Sequence, residues 1–201
     1  MFGKLSKSTF VLPGNTPLDI VLLLDSSDKY RSVEFQSEKV FLKDFVDRLD
    51  PENTDARLSL YTYGSSAFSQ FTLDMYSTAG EMKQAVDFMW FATGNGTPEP
   101  AIQTTVNEVF QDHSNGNREC VPNILVLLTH SELSDTVLIN NVSEDLSSML
   151  VKCIIINMAG TVAQTAFQTL TNGTTTVLQV DDFATLETSA ASVFQSVKAS
   201  M

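Results

Sequence analysis

Basic residues and long apolar runs are scarce in this sequence. It has 12 lysines and arginines against 24 aspartates and glutamates, and its formal net charge is -12. Binding to nucleic acid or to an anionic membrane surface requires clusters of basic side chains, so we expect neither partner. No apolar run approaches the roughly 20 residues that span a bilayer, so we also expect no membrane insertion.

Motifs for cofactor binding and catalysis are missing as well. The chain has 2 cysteines and 2 histidines, and no cluster of them has the spacing of a zinc site. The glycine-rich stretch at 93–100 lacks the Gly-Lys-Ser/Thr of a P-loop and does not directly follow a strand pattern, as a dinucleotide fingerprint would. There is no Gly-x-Ser-x-Gly nucleophile motif. The sequence therefore predicts a binding protein rather than an enzyme.

Apolar strand patterns alternate with helical patterns along most of the chain. Three runs, at 18–25, 123–129 and 153–158, are almost wholly apolar, which is typical of central strands covered on both faces. Residues 56–64 and 67–74 predict an antiparallel hairpin. The remaining predicted elements are a strand at 175–180 and helices at 31–49, 78–90, 99–112, 135–150, 161–170 and 183–199.

This alternation predicts an α/β fold with a doubly wound, mostly parallel six-stranded sheet. One edge strand is expected to be antiparallel, and helices are expected on both faces. A chain of 201 residues fits one domain with a sizeable core. We assign that domain to residues 17–201, and we assign the polar residues 1–16 to a leader or linker.

The first predicted strand ends in a cluster of polar residues. Asp25, Ser26, Ser27 and Asp28 follow its apolar run, and Lys29 comes next. In doubly wound sheets, ligands bind beyond the carboxyl ends of the strands, near the point where the strand order reverses. We therefore expect the loops after the first strand, before the helix near 99 and after strand 123–129 to meet at a binding site.

These residues carry a resemblance to von Willebrand factor type A domains. The stretch LDIVLLLDSSDKY at 18–30 resembles the first strand and loop of that family. Gly94–Thr97 resembles its glycine-threonine loop, and Leu125–Thr129 resembles its fourth strand. The order of strands and helices agrees over residues 17–199. Within the family, the chain resembles extracellular-matrix members such as the A domains of collagen VI.

The resemblance implies a metal-ion-dependent adhesion site. In the family, an Asp-x-Ser-x-Ser loop, a threonine and a second aspartate hold Mg²⁺ or Mn²⁺, and a ligand carboxylate completes the shell. Oxygen ligands around an open position suit such hard cations. Here Asp25, Ser27 and Thr97 match three of the positions, whereas Lys29 replaces the second serine and His130 replaces the second aspartate.

Both replacements oppose the binding of a divalent cation. Lys29 adds a positive charge, and His130 removes a negative one and prefers softer metals. Two like unit charges roughly 4 Å apart repel by about 4 kcal/mol at an effective dielectric constant of about 20, and a dication doubles that energy. We expect a degenerate, metal-free site in which Lys29 lies against Asp25 in place of the cation. Binding of Mg²⁺ or Mn²⁺ is the alternative.

Structural roles for the same residues stay open at this point. Lys29 could point into solvent, and Asp25 and Ser27 could serve only to cap backbone donors. Thr97 could cap a helix whose first residue is Pro98. A serine–histidine–acid triad of Ser27, His130 and Asp25 would instead make the chain a hydrolase, but a triad is recognised by geometry that a sequence does not contain.

Possible N-glycosylation sites and a possible disulfide bear on whether the protein is extracellular. Asn95, Asn141 and Asn172 each begin an N-glycosylation pattern, which favours an extracellular location, although residues 1–17 contain no apolar segment typical of a signal peptide. Cys120 precedes one predicted strand and Cys153 begins its predicted parallel neighbour. A disulfide between them would stabilise the fold by roughly 3 to 4 kcal/mol, and the alternative is that Cys153 is a small buried apolar residue.

Together these features predict a non-catalytic extracellular adhesion or matrix module. It would bind an extracellular protein, with collagen or another matrix protein as the candidate, and would belong to a larger multidomain chain. The alternative is a structural module that packs against sister domains of a larger secreted protein.

Overall fold

A computed structural model describes residues 17–28, 32–90, 93–158, 167–168, 170 and 175–201. Within these residues, six strands form one sheet in the order β3-β2-β1-β4-β5-β6. All neighbouring strands are parallel except β2 and β3, which are antiparallel. The strands are β1 Leu18–Asp25, β2 Ala56–Tyr63, β3 Ala67–Phe71, β4 Asn123–Thr129, β5 Lys152–Asn157 and β6 Thr176–Gln179.

Helices cover both faces of this sheet. Those of the described residues are α1 Ser32–Leu49, α2 Ala79–Phe88, α3 Pro98–Thr105, α4 Thr136–Ser148 and α5 Phe183–Ala199. A π-helical segment, Val106–Gln111, continues α3, and a 3₁₀ turn, His113–Asn115, follows it. Among these helices, none is long and apolar enough to cross a membrane.

The alternation of side chains along β1 explains the three layers. Leu18, Ile20, Leu22 and Leu24 belong to the core that β1 shares with α1, α2 and α5. Val21 and Leu23 belong to the opposite core, beneath α3 and α4. Because successive side chains of a strand point to opposite faces, a strand covered on both sides must be apolar at nearly every position. The predicted doubly wound α/β fold is confirmed.

The predicted helix at 99–112 differs from the observed one in its hydrogen-bond pattern. Its buried side chains recur every four residues, at Ala101, Thr105 and Val109 and at Ile102, Val106 and Phe110. An α-helix has 3.6 residues per turn, so a spacing of four drifts around its axis. The wider π-helical segment at Val106–Gln111 corrects this drift and keeps the stripe against the sheet. The predicted leader at 1–16 and most of the predicted helix at 161–170 lie outside the described residues.

An ion pair joins three segments at the lower edge of the sheet, where the parallel strands begin. Asp19 on β1 is fully buried, and its carboxylate accepts hydrogen bonds from the backbone N–H of Arg118 at 2.8 Å and from Arg118 Nη2 at 2.7 Å. Arg118 also donates to the carbonyl oxygens of Leu18 and Asp55. The guanidinium therefore holds the loop before β4 against the starts of β1 and β2.

We predict that Arg118→Met lowers the free energy of unfolding by about 3 kcal/mol, because it leaves the Asp19 carboxylate buried without its cation. Urea denaturation would measure the loss. Lys83→Met is the matched control, since Lys83 forms an exposed ion pair with Asp47 and its loss should cost less than about 1 kcal/mol. Equal effects of the two substitutions would contradict a stabilising role specific to Arg118.

Candidate functional site

Three adjacent strands end together at the upper edge of the sheet, where the parallel strands finish. Asp25 ends β1, Tyr63 ends β2 and Thr129 ends β4. Asp25 is in register with Tyr63, and its neighbour Leu24 is in register with Leu128. The sheet therefore brings together the loops after β1 and β4, as expected from the sequence.

Asp25 is the buried anion of this edge. Its side chain has no exposed surface, and its Oδ1 accepts a hydrogen bond from the backbone N–H of Ser27 at 3.1 Å. Its Oδ2 accepts one from the backbone N–H of His130 at 3.5 Å. Both carboxylate oxygens thus face backbone donors, which stabilise the charged form of a buried carboxyl group.

The glycine-rich loop before α3 packs its backbone directly on Asp25 and Ser27. Gly96 has a φ of +63°, and a Cβ atom there would lie 2.5 Å from Ser27 Oγ and 2.9 Å from Asp25 Oδ1. The same loop is joined to the loop after β1, because Asp28 N–H donates to the Gly94 carbonyl at 3.0 Å and Gly94 N–H donates to Asp28 Oδ2 at 3.0 Å. Only glycine allows this approach at residue 96.

Within the described residues, neither hydroxyl group of the predicted metal site forms a capping hydrogen bond. Ser27 is fully buried, and its Oγ has no hydrogen-bond partner within the described residues. Thr97 occupies the N-cap of α3, with Pro98 at the first helical position, as the structural alternative predicted. Its side chain makes no capping hydrogen bond, however. The position is that of a cap, but the hydroxyl does not act as one.

Glu99 is a second buried carboxyl group at this edge, and its position explains the path of the chain after β4. Its Oε1 accepts hydrogen bonds from the backbone N–H groups of Ser134 and Asp135, the latter at 2.9 Å. Its Oε2 has no partner within the described part of the chain. Glu132 and Asp28, two further acidic residues of these loops, are exposed.

The pKa of Tyr63 reflects the negative charge of this region. Its phenol is fully buried, and that burial, followed by the charge of Asp25, raises the pKa of Tyr63 well above its usual value. The carboxyl groups of Glu38 and Glu99 add to the rise. Glu38 lies on α1 and is itself buried, which nothing in its sequence context had indicated.

His130 faces the site with its backbone rather than with its ring. Its N–H group points to Asp25, whereas its imidazole stacks on the ring of Phe183, with centroids 5.4 Å apart and an interplanar angle of 13°. The Ser27 hydroxyl makes no hydrogen bond within the described residues, so it is not paired with the imidazole as a nucleophile would be. The triad considered from the sequence is therefore not formed.

Comparison with protein families identifies this arrangement. The family model for the von Willebrand factor type A domain matches residues 19–192. The chain belongs to this family. Among curated proteins, matrilin-3 from Gallus gallus is 31% identical over 126 residues, which cover 61% of this chain and 28% of that protein. Matrilin-1 from Gallus gallus is 35% identical over 109 residues, covering 54% of this chain and 22% of that protein.

Solved structures agree with the fold. One crystal form of proximal thread matrix protein 1, from the mussel byssus, has a TM-score of 0.80 at 18% identity and covers 90% of this chain and 48% of that one. A structure of the same protein has zinc in its MIDAS motif, the metal-ion-dependent adhesion site. It has a TM-score of 0.77 at 22% identity and covers 92% of this chain and 46% of that one. The chain thus spans about a quarter of each matrilin and about half of the mussel protein. It is a von Willebrand factor type A domain that is similar to those of extracellular-matrix proteins.

The observed donor set suits the family's cation only in part. The hydroxyl groups of Ser27 and Thr97 and the carboxylate of Asp25 are hard oxygen ligands. Both Asp25 oxygens already face backbone donors, however, and His130 occupies the position of the family's second aspartate. Lys29, the other substituted position, lies outside the described residues. With one carboxylate among the residues that match the family's metal-binding positions, this donor set fits Mg²⁺ poorly.

The predicted disulfide is not formed in the structure. Cys120 and Cys153 are both free thiols. Cys153 packs in the core beneath α3 and α4, where burial raises the pKa of its thiol to about 12. Cys120 lies in the exposed turn before β4, with a φ of +61°. The alternative interpretation of Cys153, as a small buried apolar residue, is the correct one.

The glycosylation patterns fall in three different settings. Asn95 is exposed in the loop before α3, and Asn141 is exposed on α4. Ser143, the third residue of the second pattern, is buried. Asn172 lies outside the described residues. Use of these asparagines stays a prediction.

We predict that Gly96→Ala lowers the free energy of unfolding by about 1 to 3 kcal/mol, because the added methyl group would collide with Ser27 and Asp25 at a φ that favours glycine. Thermal denaturation would measure it. Gly80→Ala is the control, since Gly80 is helical and a Cβ there would meet only Thr78 Oγ1, at 4.0 Å. That change should be neutral or slightly stabilising, and a similar loss for both would contradict the packing described for Gly96.

Proposed function

We propose that this chain is a non-catalytic extracellular-matrix module that binds a protein partner without a divalent cation at its upper edge. The observation that supports this most is the arrangement around Asp25. The residue that replaces the family's second aspartate, His130, offers Asp25 a backbone N–H and turns its ring onto Phe183. The side chain at this position is therefore an imidazole stacked on Phe183, and it supplies no carboxylate for a metal.

The charge balance supports the same proposal. A divalent cation bound by Asp25, Ser27 and Thr97 would meet one formal negative charge among those ligands, where the family provides two. The sequence adds the ammonium group of Lys29 four residues after Asp25. We propose that this ammonium group lies against buried Asp25 and supplies positive charge beside it, which would make cation binding both unnecessary and unfavourable.

The relatives bear on the compartment and on the choice of metals to test. The matrilins and the mussel byssal protein support an extracellular location and membership of a larger chain. The mussel protein has been solved with zinc in its MIDAS motif. Because imidazole is a good zinc ligand, zinc must be tested here alongside Mg²⁺ and Mn²⁺.

We predict that the EDTA-treated protein gives no heat of binding with Mg²⁺, Mn²⁺ or Zn²⁺ in calorimetric titrations at neutral pH. The double variant Lys29→Ser, His130→Asp should gain Mg²⁺ binding, because it restores both family ligands, and adding Asp25→Ala to it should abolish that gain. Each single variant should bind more weakly than the double variant. Mg²⁺ or Mn²⁺ binding by the unmodified chain that is lost in Asp25→Ala would contradict the metal-free site.

The same proposal predicts how partner binding responds to chelators. Binding of the module to surfaces coated with collagen or other matrix proteins should be equal in EDTA and in Mg²⁺. The double variant Lys29→Ser, His130→Asp serves as the comparison, because any binding it makes through a metal should disappear in EDTA. Surface plasmon resonance would measure both, and loss of binding by the unmodified chain in EDTA would contradict the proposal.

A further inference from the structure

Asparagine is followed directly by glycine at three places in this chain, Asn95–Gly96, Asn115–Gly116 and Asn172–Gly173. This dipeptide is prone to losing its side-chain amide, because a residue without a Cβ lets its backbone nitrogen reach the preceding side-chain carbonyl. The fold decides whether the reaction can proceed, since it fixes the positions of both groups. The third dipeptide lies outside the described residues, and the first two stand in contrasting settings.

Asn115–Gly116 is held in place at both of the groups that would react. Asn115 Nδ2 donates a hydrogen bond to the Glu108 carbonyl at 2.6 Å, and the Gly116 N–H donates to the His113 carbonyl at 3.3 Å. The Asn115 carbonyl accepts a further hydrogen bond from the backbone N–H of Leu73 at 3.2 Å. The side chain of Asn115 can therefore meet the Gly116 nitrogen only after this turn has opened.

Asn95–Gly96 lacks these restraints. Asn95 is exposed, and it stands in the loop before α3, outside any helix or strand. Neither the Asn95 amide nor the Gly96 N–H forms a hydrogen bond within the described part of the chain. The side chain can thus turn its carbonyl carbon towards the Gly96 nitrogen without breaking a hydrogen bond, and water can reach it there.

We propose that Asn95 is a site of spontaneous deamidation through a succinimide, and that the isoaspartate formed there loosens the upper edge. The Gly96 backbone nitrogen attacks Asn95 Cγ and closes a five-membered ring. The side-chain nitrogen leaves as ammonia and takes up the proton that the Gly96 nitrogen loses. Water then opens the ring. Attack at the former side-chain carbonyl gives aspartate, whereas attack at the backbone carbonyl gives isoaspartate, in which the main chain runs through the side chain.

The two products affect the loop differently. Aspartate adds a negative charge but keeps the course of the backbone, whereas isoaspartate also inserts a methylene group into the main chain directly before Gly96. Gly96 has no room on the side of its neighbours, since a Cβ atom on it would lie 2.5 Å from Ser27 Oγ and 2.9 Å from Asp25 Oδ1. The longer backbone therefore displaces Gly96 away from Ser27 and Asp25 and removes packing contacts at the site.

The test uses the full chain, produced without N-glycosylation so that the Asn95 amide is unblocked, and held folded at mildly alkaline pH. Peptide mapping by mass spectrometry would follow deamidation at Asn95 and Asn115 over time. We expect the reaction at Asn95 to be faster by about tenfold or more, because the reaction at Asn115 requires local opening. In guanidinium chloride the two rates should become similar, because glycine follows both asparagines and the fold no longer distinguishes them.

Two variants separate the reaction from its consequence. Glutamine closes the corresponding larger ring far more slowly, so Asn95→Gln should stay intact at residue 95. Asn95→Asp carries the charge of the aspartate product on a normal backbone. The isoaspartate form, isolated by chromatography, should unfold at a temperature about 2 to 4 °C below that of Asn95→Gln, because its packing at Gly96 is lost. Asn95→Asp should unfold within about 1 °C of Asn95→Gln, since the exposed side chain alone has changed.

Two results would overturn the proposal. One is deamidation at Asn95 that is no faster than at Asn115 in the folded chain. The other is an isoaspartate form that unfolds at the same temperature as Asn95→Gln. None of these measurements involves a metal or a protein partner. Deamidation at Asn95 can therefore fail to occur while the proposed function stands, and the reverse is also true.

Discussion

The burial of one carboxylate, that of Asp25, constrains the whole upper edge. A charged group without exposed surface requires compensating donors, and here the backbone supplies them from two directions. Ser27 N–H fixes the turn after β1, and His130 N–H fixes the turn after β4. Gly96 then closes the space above, because no other residue permits that approach. The hydrogen bonds that stabilise the buried Asp25 carboxylate thus fix the positions of these loops, with or without a bound metal.

The central strands could be predicted from sequence because their burial leaves little choice of residue. β1 and β4 match the predicted ranges 18–25 and 123–129 to the residue, since apolar runs covered on both faces end sharply at polar neighbours. The π-helical segment could not be predicted in this way. Its wider turn follows from the packing of Val109 and Phe110 against the sheet, which depends on where the sheet lies.

Some residues of the candidate site could likewise be predicted from the local sequence, whereas others depend on tertiary packing. Asp25, Ser27 and Thr97 were recognisable because they match metal-site positions of the family that the sequence resembles, and a strand end and a helix start place them at one edge. The burial of Glu38 on α1 and the contacts of Glu99 with the loop after β4 depend on chain segments far apart in sequence. The sequence likewise gave no means of deciding between the pairing of Cys120 with Cys153 and the burial of Cys153. The observed core decides it, because β5 turns that side chain inwards while Cys120 stays in an exposed turn.

The hydrogen bonds that Arg118 forms with Leu18, Asp19 and Asp55 have a mechanical consequence. β1 lies between β2 and β4 and runs parallel to both, so tension that enters the chain before Leu18 would pull β1 lengthwise past its neighbours. Such a load is shared by many hydrogen bonds at once, unlike the peeling of an edge strand, in which they break one after another. Arg118 grips β1 at Leu18 and Asp19, where the tension first arrives, and it anchors them to the loops before β2 and β4. A fold held in this way resists extension most strongly along the axis of its central strand.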